Sequence, residues 1–289
     1  MNKIKLLDGA MGTQLLHSGI QLPLPLWSGD INLTHPHHIE NIHKSYLDAG
    51  ADILTTNTFR TTPRSYLNHG FSKNRSMTRS HKSLDMAVSL AKKVASKNTI
   101  IAGSIAPLED CYEPGLFPGV EYANEEFREL AIWLKDAGVD MLLFETMGCW
   151  NEIRSAINST DDLQIPRWIS LTLKNGKRLL DGTELSEVLY ILSEYKINKI
   201  LLNCNPCTIT SDAIDIIVKY WSESWGVYPN VGMSMPSKEG IIKNQLCVDD
   251  FIKEVNNYID AGASVIGACC GSNPYYIQSL RDLINIRIQ

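Results

Sequence analysis

The sequence predicts a single (β/α)8 barrel over residues 1–289, an α/β fold of the TIM-barrel class. Short apolar runs rich in β-branched residues alternate eight times with longer segments whose apolar residues recur at helical spacing. Strands that are apolar almost throughout are typical of a parallel sheet covered by helices. A chain of 289 residues with 44% hydrophobic content is large enough to bury the core of such a domain.

The eight predicted strands are spread over the whole chain. They are KIKLLD from Lys3, ADILTTNTF from Ala51, TIIAGSIAP from Thr99, VDMLLFET from Val139, PRWISLTL from Pro166, NKILLNC from Asn198, GVYPNVG from Gly226 and ASVIGACC from Ala263. Helical patterns between them include HHIENIHKSYLDAG from His37, LDMAVSLAKKVAS from Leu84, NEEFRELAIWLKDAG from Asn124, ELSEVLYILSEYK from Glu184, DAIDIIVKYW from Asp212 and VDDFIKEVNNYIDAG from Val248.

Three of these helices end in the same triplet, DAG, which begins at Asp48, Asp136 and Asp260 and directly precedes a strand. Glycine at a helix C-terminus favours the left-handed backbone conformation that turns the chain back towards the sheet. A doubly wound open sheet is the alternative fold. That fold usually carries G-x-G-x-x-G after its first strand, and the segment DGAMGTQL from Asp8 does not match it.

Composition narrows the function to chemistry on a small molecule. The net charge is −5 and no cluster of Lys or Arg occurs, which disfavours nucleic acid or an anionic membrane surface as the partner. The N-terminus lacks the pattern of a signal peptide, and no apolar run approaches the roughly 20 residues of a membrane span. Seven cysteines without secretory features disfavour a disulfide framework and indicate a reducing, cytoplasmic location. Nothing in the sequence indicates the oligomeric state.

Three cysteines at predicted strand ends indicate a metal site. Cys269 and Cys270 are adjacent in GACCG, and Cys204 lies in LLNCNP. Three soft sulfur ligands that leave a fourth position open are typical of catalytic zinc. Two alternatives stay open: the cysteines are small core residues, or Cys204 and Cys207 form a C-x-x-C pair that is redox-active or joins the metal set.

Other polar residues also follow predicted strands, at the barrel end where active sites lie. Asp8 and Glu145 end two strands, and a third strand ends at Thr56 to Phe59. The two carboxylates are suited to holding the ammonium group of an amino acid; otherwise they cap helices or form ion pairs. Trp27, in a Pro-rich loop, is either a lid or cation-binding ring or merely a packed side chain.

Two long connections, residues 21–35 and 108–123, are expected to carry function because long loops after barrel strands commonly do so. The histidines of THPHHIE, at positions 35, 37 and 38, look like a metal cluster. Their position at a predicted helix start instead makes them solvent-facing helix residues.

Seven motifs in order along the chain carry a family resemblance: LLDGAMGTQL, GADILTTNTF, AGSIAP, GVDMLLFET, LLNC, YPN and GACCG. Over residues 6–274 the sequence resembles the homocysteine S-methyltransferase family. The resemblance implies a zinc-dependent barrel that methylates L-homocysteine to methionine. It also implies site residues: Cys204, Cys269 and Cys270 as zinc ligands, Asp8 and Glu145 as homocysteine contacts, and Gly9, Thr56 and Phe59 from the same motifs as further substrate contacts.

The methyl donor is less determined than the acceptor. The phrase LWSGD around Trp27 resembles the S-methylmethionine branch of the family, and an aromatic ring there could hold a sulfonium or ammonium centre. Arg60 would repel a nearby onium centre, or it could bind a donor carboxylate. We expect no cobalamin- or folate-binding module in 289 residues, which favours a free onium donor: S-methylmethionine, with betaine or dimethylsulfoniopropionate as rivals.

Three functional alternatives accompany this expectation. The chain could be a non-catalytic barrel that binds zinc or thiols, or a methyltransferase that acts on a different thiol. A metal-dependent hydrolase is disfavoured because its strand ends would offer His and Asp ligands, whereas this sequence offers Cys, Glu and Thr.

Overall fold

The structure is a computed structural model that describes residues 4–237 and 239–288. Ten strands occur within them: β1 (Lys5–Leu6), β2 (Ile53–Thr55), β3 (Ile100–Ile105), β4 (Met141–Met147), β5 (Arg167–Leu171), β6 (Leu173–Asn175), β7 (Arg178–Leu179), β8 (Lys199–Pro206), β9 (Trp225–Asn230) and β10 (Val265–Ile266). Eight of them form one parallel sheet in the order β1, β10, β9, β8, β5, β4, β3, β2. Strands β6 and β7 pair separately as an antiparallel hairpin.

The two ends of this sheet meet, so the sheet is closed. Leu7 forms a parallel bridge with Ile53, the Asp8 amide donates to the Ile53 carbonyl at 3.0 Å, and the Asp52 amide donates to the Leu6 carbonyl at 2.8 Å. The predicted (β/α)8 barrel is confirmed, and an open doubly wound sheet is excluded. The structure confirms all eight predicted strands, most of them with shorter bounds, although β8 continues two residues past the predicted end at Cys204. Lys3, where the first strand was expected to begin, lies outside the described residues.

Helices follow the strands and cover the sheet. They are α1 (Met11–His17), α2 (Ile31–Thr34), α3 (Pro36–Asp48), α4 (Pro63–Asn68), α5 (Lys73–Val94), α6 (Val120–Ala137), α7 (Trp150–Asn158), α8 (Leu185–Leu192), α9 (Cys207–Tyr220), α10 (Val248–Asp260) and α11 (Pro274–Ile288), with a short 3-10 helix at Pro114–Leu116. The glycines of the three DAG triplets, Gly50, Gly138 and Gly262, all have positive φ, at 97°, 84° and 108°. The predicted left-handed helix endings are confirmed.

Helix α5 begins eleven residues before the predicted pattern at Leu84. Its first half turns Ser76, Ser80 and Ser83 towards the interior, and all three are buried. The Ser83 hydroxyl accepts a hydrogen bond from Asn32 Nδ2 at 3.1 Å. Because small polar residues form the buried face of this segment, apolar periodicity could not indicate it.

Two apolar layers lie on the two sides of the sheet. One fills the space between strands and helices. The other takes residues from every barrel strand or its end, namely Leu7, Ile53, Ala102, Met141, Leu143, Trp168, Leu201, Tyr228 and Val265. Side chains of this kind fill the barrel interior, so no open channel runs through it. A ligand therefore has access only at an end of the barrel.

None of the described helices is long and apolar enough to cross a membrane.

His43 on α3 predicts an acid-sensitive step in stability. The side chain is fully buried, and within the described structure neither ring nitrogen has a hydrogen-bond partner. Burial lowers the pKa of His43 from 6.5 to about 4. The unfolded chain therefore gains a proton before the folded one, so stability present above pH 6.5 is lost as the pH falls towards 4.

We expect His43→Leu to remove this loss. Between pH 7 and pH 5 the free energy of unfolding should fall about 2 kcal/mol less for the variant than for the unmodified protein. Urea denaturation at the two pH values measures the difference. His37 is exposed on the same helix, so His37→Leu is the matched control. Equal pH dependence of His43→Leu and the unmodified protein would contradict this expectation.

Candidate active site

A cavity of about 400 Å³ opens at the carboxyl ends of the barrel strands. All ten residues that the sequence singled out as a site line it: Asp8, Gly9, Trp27, Thr56, Phe59, Arg60, Glu145, Cys204, Cys269 and Cys270. They are spread over 263 positions of the chain, and the closed sheet brings them together because parallel strands all end on one rim. Their individual roles remain predictions.

The three cysteine sulfurs form one cluster in the cavity wall. Cys204 Sγ lies 2.8 Å from Cys269 Sγ and 4.0 Å from Cys270 Sγ, and the two adjacent cysteines are 4.0 Å apart. Among the described residues, this is the group of His, Cys, Asp or Glu side chains that could hold a metal ion. Cys207, at the start of α9, points its sulfur towards the Asn230 carbonyl and is not in this group.

The three sulfur ligands of the cluster suit a soft divalent metal ion. Sulfur ligands of a tetrahedral zinc, each about 2.3 Å from the metal, stand about 3.8 Å apart. Two of the three separations are close to that value, and the pair of Cys204 and Cys269 would have to open by about 1 Å. The described residues supply three ligands, which leaves a fourth position for a substrate.

Backbone contacts fix where each cysteine points. Cys204 has a left-handed φ of 54°, and its carbonyl accepts a hydrogen bond from Asn230 Nδ2 at 2.9 Å. The Cys269 amide, three residues after β10 ends, donates to the Pro229 carbonyl at 2.8 Å. The Cys270 carbonyl accepts from the Val231 amide at 3.1 Å. The end of β9 therefore holds all three ligands.

Two hydrogen bonds join β8 to β4, a contact that was not predicted from the sequence. Asn203 Oδ1 accepts from the Thr146 amide at 3.0 Å, and Asn203 Nδ2 donates to Thr146 Oγ1 at 2.9 Å. Thr146 has a left-handed φ of 61°, a conformation that a β-branched residue adopts only under strain. These bonds tie the strand end that carries Glu145 to the one that carries Cys204. The only sequence signal is a polar residue within an apolar strand.

The carboxylate of Asp8 is buried and aligned by Thr55. The Thr55 amide donates to Asp8 Oδ2 and its hydroxyl to Oδ1, both at 2.9 Å. Burial raises the pKa of Asp8 to about 8, although both Thr55 bonds act in the opposite direction. Helix α1, which follows, receives no side-chain cap at its N-terminus, so Asp8 is not a capping residue.

Glu145 is held in the same manner by side chains of β3 and β9. Ser104 Oγ donates to Oε1 at 2.5 Å and the Tyr228 hydroxyl donates to Oε2 at 3.1 Å. Burial raises the pKa of Glu145, and these two bonds partly oppose the rise. In the described part of the chain neither Glu145 nor Asp8 belongs to an ion pair. The cavity thus contains two buried carboxylates that lack a cation.

Trp27 packs closely against two glycines, Gly12 and Gly240. A Cβ placed on Gly12 would lie 2.9 Å from Trp27 Cζ2, and one on Gly240 would lie 2.2 Å from Cη2. A side chain at either glycine position would collide with the indole. Trp27 is half-buried, and part of it lines the cavity. Thr56, by contrast, uses its hydroxyl to accept from the Ser104 amide at 3.1 Å and organises the strand ends.

The loop of residues 108–123 contributes side chains that the sequence did not single out as site residues. Cys111 and Tyr112 line the cavity, and burial together with the nearby cysteines raises the pKa of Tyr112. The length of the loop was the only indication. The histidines at positions 35, 37 and 38 lie outside the cavity lining, with His35 and His37 exposed and His38 half-buried, close to the expected solvent-facing arrangement.

Comparisons with known proteins agree with this arrangement. The family described as Homocysteine S-methyltransferase matches residues 5–284. Homocysteine S-methyltransferase 3 of Zea mays is 30% identical, over 96% of this chain and 89% of that protein. Selenocysteine Se-methyltransferase of Brassica oleracea var. italica is 28% identical, over 95% of this chain and 87% of that protein.

Among solved structures, the metallated form of the homocysteine methyltransferase MmuM from Escherichia coli superposes with a TM-score of 0.84 and 27% identity. The superposition covers 97% of this chain and 96% of that one. Because the family match spans nearly the whole barrel and every strand that contributes to the cavity, the chain belongs to the homocysteine S-methyltransferase family.

Proposed function

We propose that this protein, through one barrel domain over residues 1–289, transfers a methyl group from a small onium donor to the thiol of L-homocysteine, giving methionine. One observation carries the proposal: a three-sulfur cluster shares a cavity with two buried carboxylates that lack a cation. Homocysteine offers the complement of both features, a thiol at one end and an ammonium group at the other.

The cofactor proposed for the cysteine cluster is Zn2+. Three thiolates with an open fourth position are the ligands of a catalytic zinc, and a metallated homocysteine methyltransferase shares the fold. When bound, zinc would supply the charge that lowers the pKa of the substrate thiol from its usual value of about 8.5, so that a thiolate is present at neutral pH.

The protein's own residues orient the acceptor. Asp8 and Glu145 accept hydrogen bonds from the ammonium group of homocysteine, with their carboxylates held in place by Thr55, Ser104 and Tyr228. Binding of a cation restores the ionised form of these buried acids, whose pKa values are raised in its absence. The thiol end then lies towards the cysteine cluster.

Methyl transfer is an in-line displacement in which the acceptor sulfur forms a bond to the methyl carbon. The bond from that carbon to the donor sulfur or nitrogen breaks, and its electron pair stays with the donor, which leaves as a neutral thioether or amine. The thiol proton has already been lost to solvent, so no general base takes part. The role of the chain is to exclude water and to hold the donor methyl carbon and the acceptor sulfur roughly 3 to 3.5 Å apart and in line.

S-methylmethionine is the proposed donor, with betaine and dimethylsulfoniopropionate as rivals. The indole of Trp27, which packs against Gly12 and Gly240 and lines the cavity, offers an aromatic ring for the onium centre. All seven cysteines lack a disulfide partner, which supports a reducing cytoplasmic location.

The selenocysteine methyltransferase among the relatives supports selenocysteine as a second methyl acceptor.

The test is a donor panel. Zinc-loaded protein and L-homocysteine are incubated with each of the three donors, and methionine is quantified by mass spectrometry together with the demethylated donor. We expect both products in equal amounts with S-methylmethionine, and a parallel assay replaces homocysteine by selenocysteine. If zinc and homocysteine bind but no donor yields methionine, the alternative of a non-catalytic binding barrel replaces this proposal.

A further inference from the structure

Arg60 is a buried cation in the cavity wall without an acidic partner. Its side chain is 5% exposed, and it is the one Lys, Arg or His among the described residues that line the cavity. Its Nη1 donates to the Pro107 carbonyl at 2.8 Å, and its Cζ lies 5.2 Å from the centre of the Phe59 ring. Within residues 4–237 and 239–288 it forms no ion pair.

A charge in this position is costly unless a ligand compensates it. Glu152 is the nearby acid, but its Oε1 accepts from the Leu108 amide at 2.8 Å, and burial raises its pKa to about 7 even though Arg60 lowers it. Removing a guanidinium from water without a full counter-charge is unfavourable. The remaining N–H groups of Arg60 form the planar fork that matches a carboxylate.

Arg60 and Trp27 belong to one rigid unit of the cavity wall. Ser28, directly after Trp27, donates through its hydroxyl to Asn57 Oδ1 at 2.6 Å, and Asn57 Nδ2 donates back to the Ser28 carbonyl at 3.0 Å. A Cβ on Gly29 would lie 2.8 Å from the Arg60 carbonyl oxygen, so the two backbones are in contact. The backbone segments that carry Trp27 and Arg60 are thereby tied together, and both side chains line the cavity.

The charges of the cavity wall also bear on selectivity. Four acidic side chains line the cavity, Asp8, Asp110, Glu113 and Glu145, and they attract any cation. A guanidinium in the same cavity wall opposes this attraction, because it repels a cation that carries no carboxylate. A donor that is both cationic and anionic satisfies the two groups together.

We propose that Arg60 binds the carboxylate of the methyl donor and selects zwitterionic onium donors over donors that carry only the positive centre. This inference rests on the proposed function, and it adds a specificity-determining residue. Arg60 contacts the donor and not the acceptor: homocysteine is anchored at Asp8 and Glu145, whereas the Arg60 guanidinium donates to the Pro107 carbonyl and the Arg60 backbone lies against Gly29, two residues after Trp27.

The first experiment compares S-methylmethionine with trimethylsulfonium, a methyl donor without a carboxylate. Arg60→Gln should raise KM for S-methylmethionine about tenfold to 100-fold, the range for a lost charged hydrogen bond. KM for homocysteine should change less than about twofold, and kcat/KM for trimethylsulfonium should stay the same or rise. Arg60→Lys keeps the charge but not the fork, so its KM for S-methylmethionine should be intermediate.

Two outcomes overturn the proposal. Equal losses of kcat/KM with both donors would make Arg60 a structural residue, and a raised KM for homocysteine alone would assign it to the acceptor. A second measurement needs neither a variant nor turnover: calorimetric titration of the unmodified protein with S-methylmethionine and with its carboxamide. At least tenfold weaker binding of the carboxamide supports the proposal even if no donor yields methionine, whereas equal binding overturns it.

Discussion

Replacing Cys269 by alanine is expected to remove bound zinc and methyl transfer together. Cys269 Sγ lies 2.8 Å from Cys204 Sγ and 4.0 Å from Cys270 Sγ, so its loss leaves two sulfur ligands where a stable site needs three. Residues that merely support a metal ligand are worth 10- to 100-fold in affinity or activity, so loss of a ligand should exceed about 100-fold in both. Metal content by mass spectrometry and methionine formation are measured on the same sample.

Cys207 offers a matched control for this prediction. It is buried like Cys204 and lies three residues later, but its sulfur faces the Asn230 carbonyl at 3.8 Å and is outside the cluster. Cys207→Ala should therefore retain zinc and turnover. Stoichiometric zinc in Cys269→Ala would contradict the ligand assignment, and loss of zinc in Cys207→Ala would revive the C-x-x-C pair as part of the site.

The barrel was predictable because its main determinants are local. The barrel strands are almost entirely buried and therefore mostly apolar, and each DAG glycine adopts the left-handed conformation that its position requires. The hairpin of β6 and β7 was not predicted, since its strands are only three and two residues long and partly exposed. The start of α5 was missed because its inward face consists of serines.

The site was predictable to the extent that the barrel determines it. Residues at strand ends must share a rim, so Asp8, Glu145 and Cys204 converge whatever the loops do. The path of a loop has no comparable constraint, so the length of the loop 108–123 was the only indication that a residue such as Tyr112 enters the cavity. Asn203 was missed for another reason: its hydrogen bonds to Thr146 join residues 57 positions apart, and no local pattern encodes them.

Asp8→Asn is expected to weaken homocysteine binding while making the protein more stable at alkaline pH. Asparagine keeps the shape and can still accept from the Thr55 amide, but it cannot compensate an ammonium group. The KM for homocysteine should rise about 10- to 100-fold, the range for a lost charged hydrogen bond. In the unmodified protein this KM should fall as the pH rises towards 8, because Asp8 must ionise to bind the ammonium group.

Although Asp8→Asn should weaken homocysteine binding, it should raise the free energy of unfolding at alkaline pH. The pKa of Asp8 is about 8 in the folded protein and 3.8 without burial, so the folded state holds a proton that the unfolded chain has lost. The stability that this proton contributes is fully present below pH 3.8 and is lost as the pH rises to about 8. Asp8→Asn has no such loss. The difference in free energy of unfolding between Asp8→Asn and the unmodified protein should therefore shift by about 2 kcal/mol in favour of the variant between pH 6 and pH 8.

An aspartate at the opposite end of the barrel distinguishes this mechanism from a general effect of removing a negative charge. Asp140 also accepts a backbone amide, that of Ile101 at 2.7 Å, but it lies at the start of β4 and outside the cavity lining. Asp140→Asn should leave the KM for homocysteine unchanged at every pH. If Asp8→Asn behaves like Asp140→Asn in KM, Asp8 does not hold the ammonium group. A gain in stability without a change in KM would then make Asp8 a buried carboxylate that contributes nothing to binding.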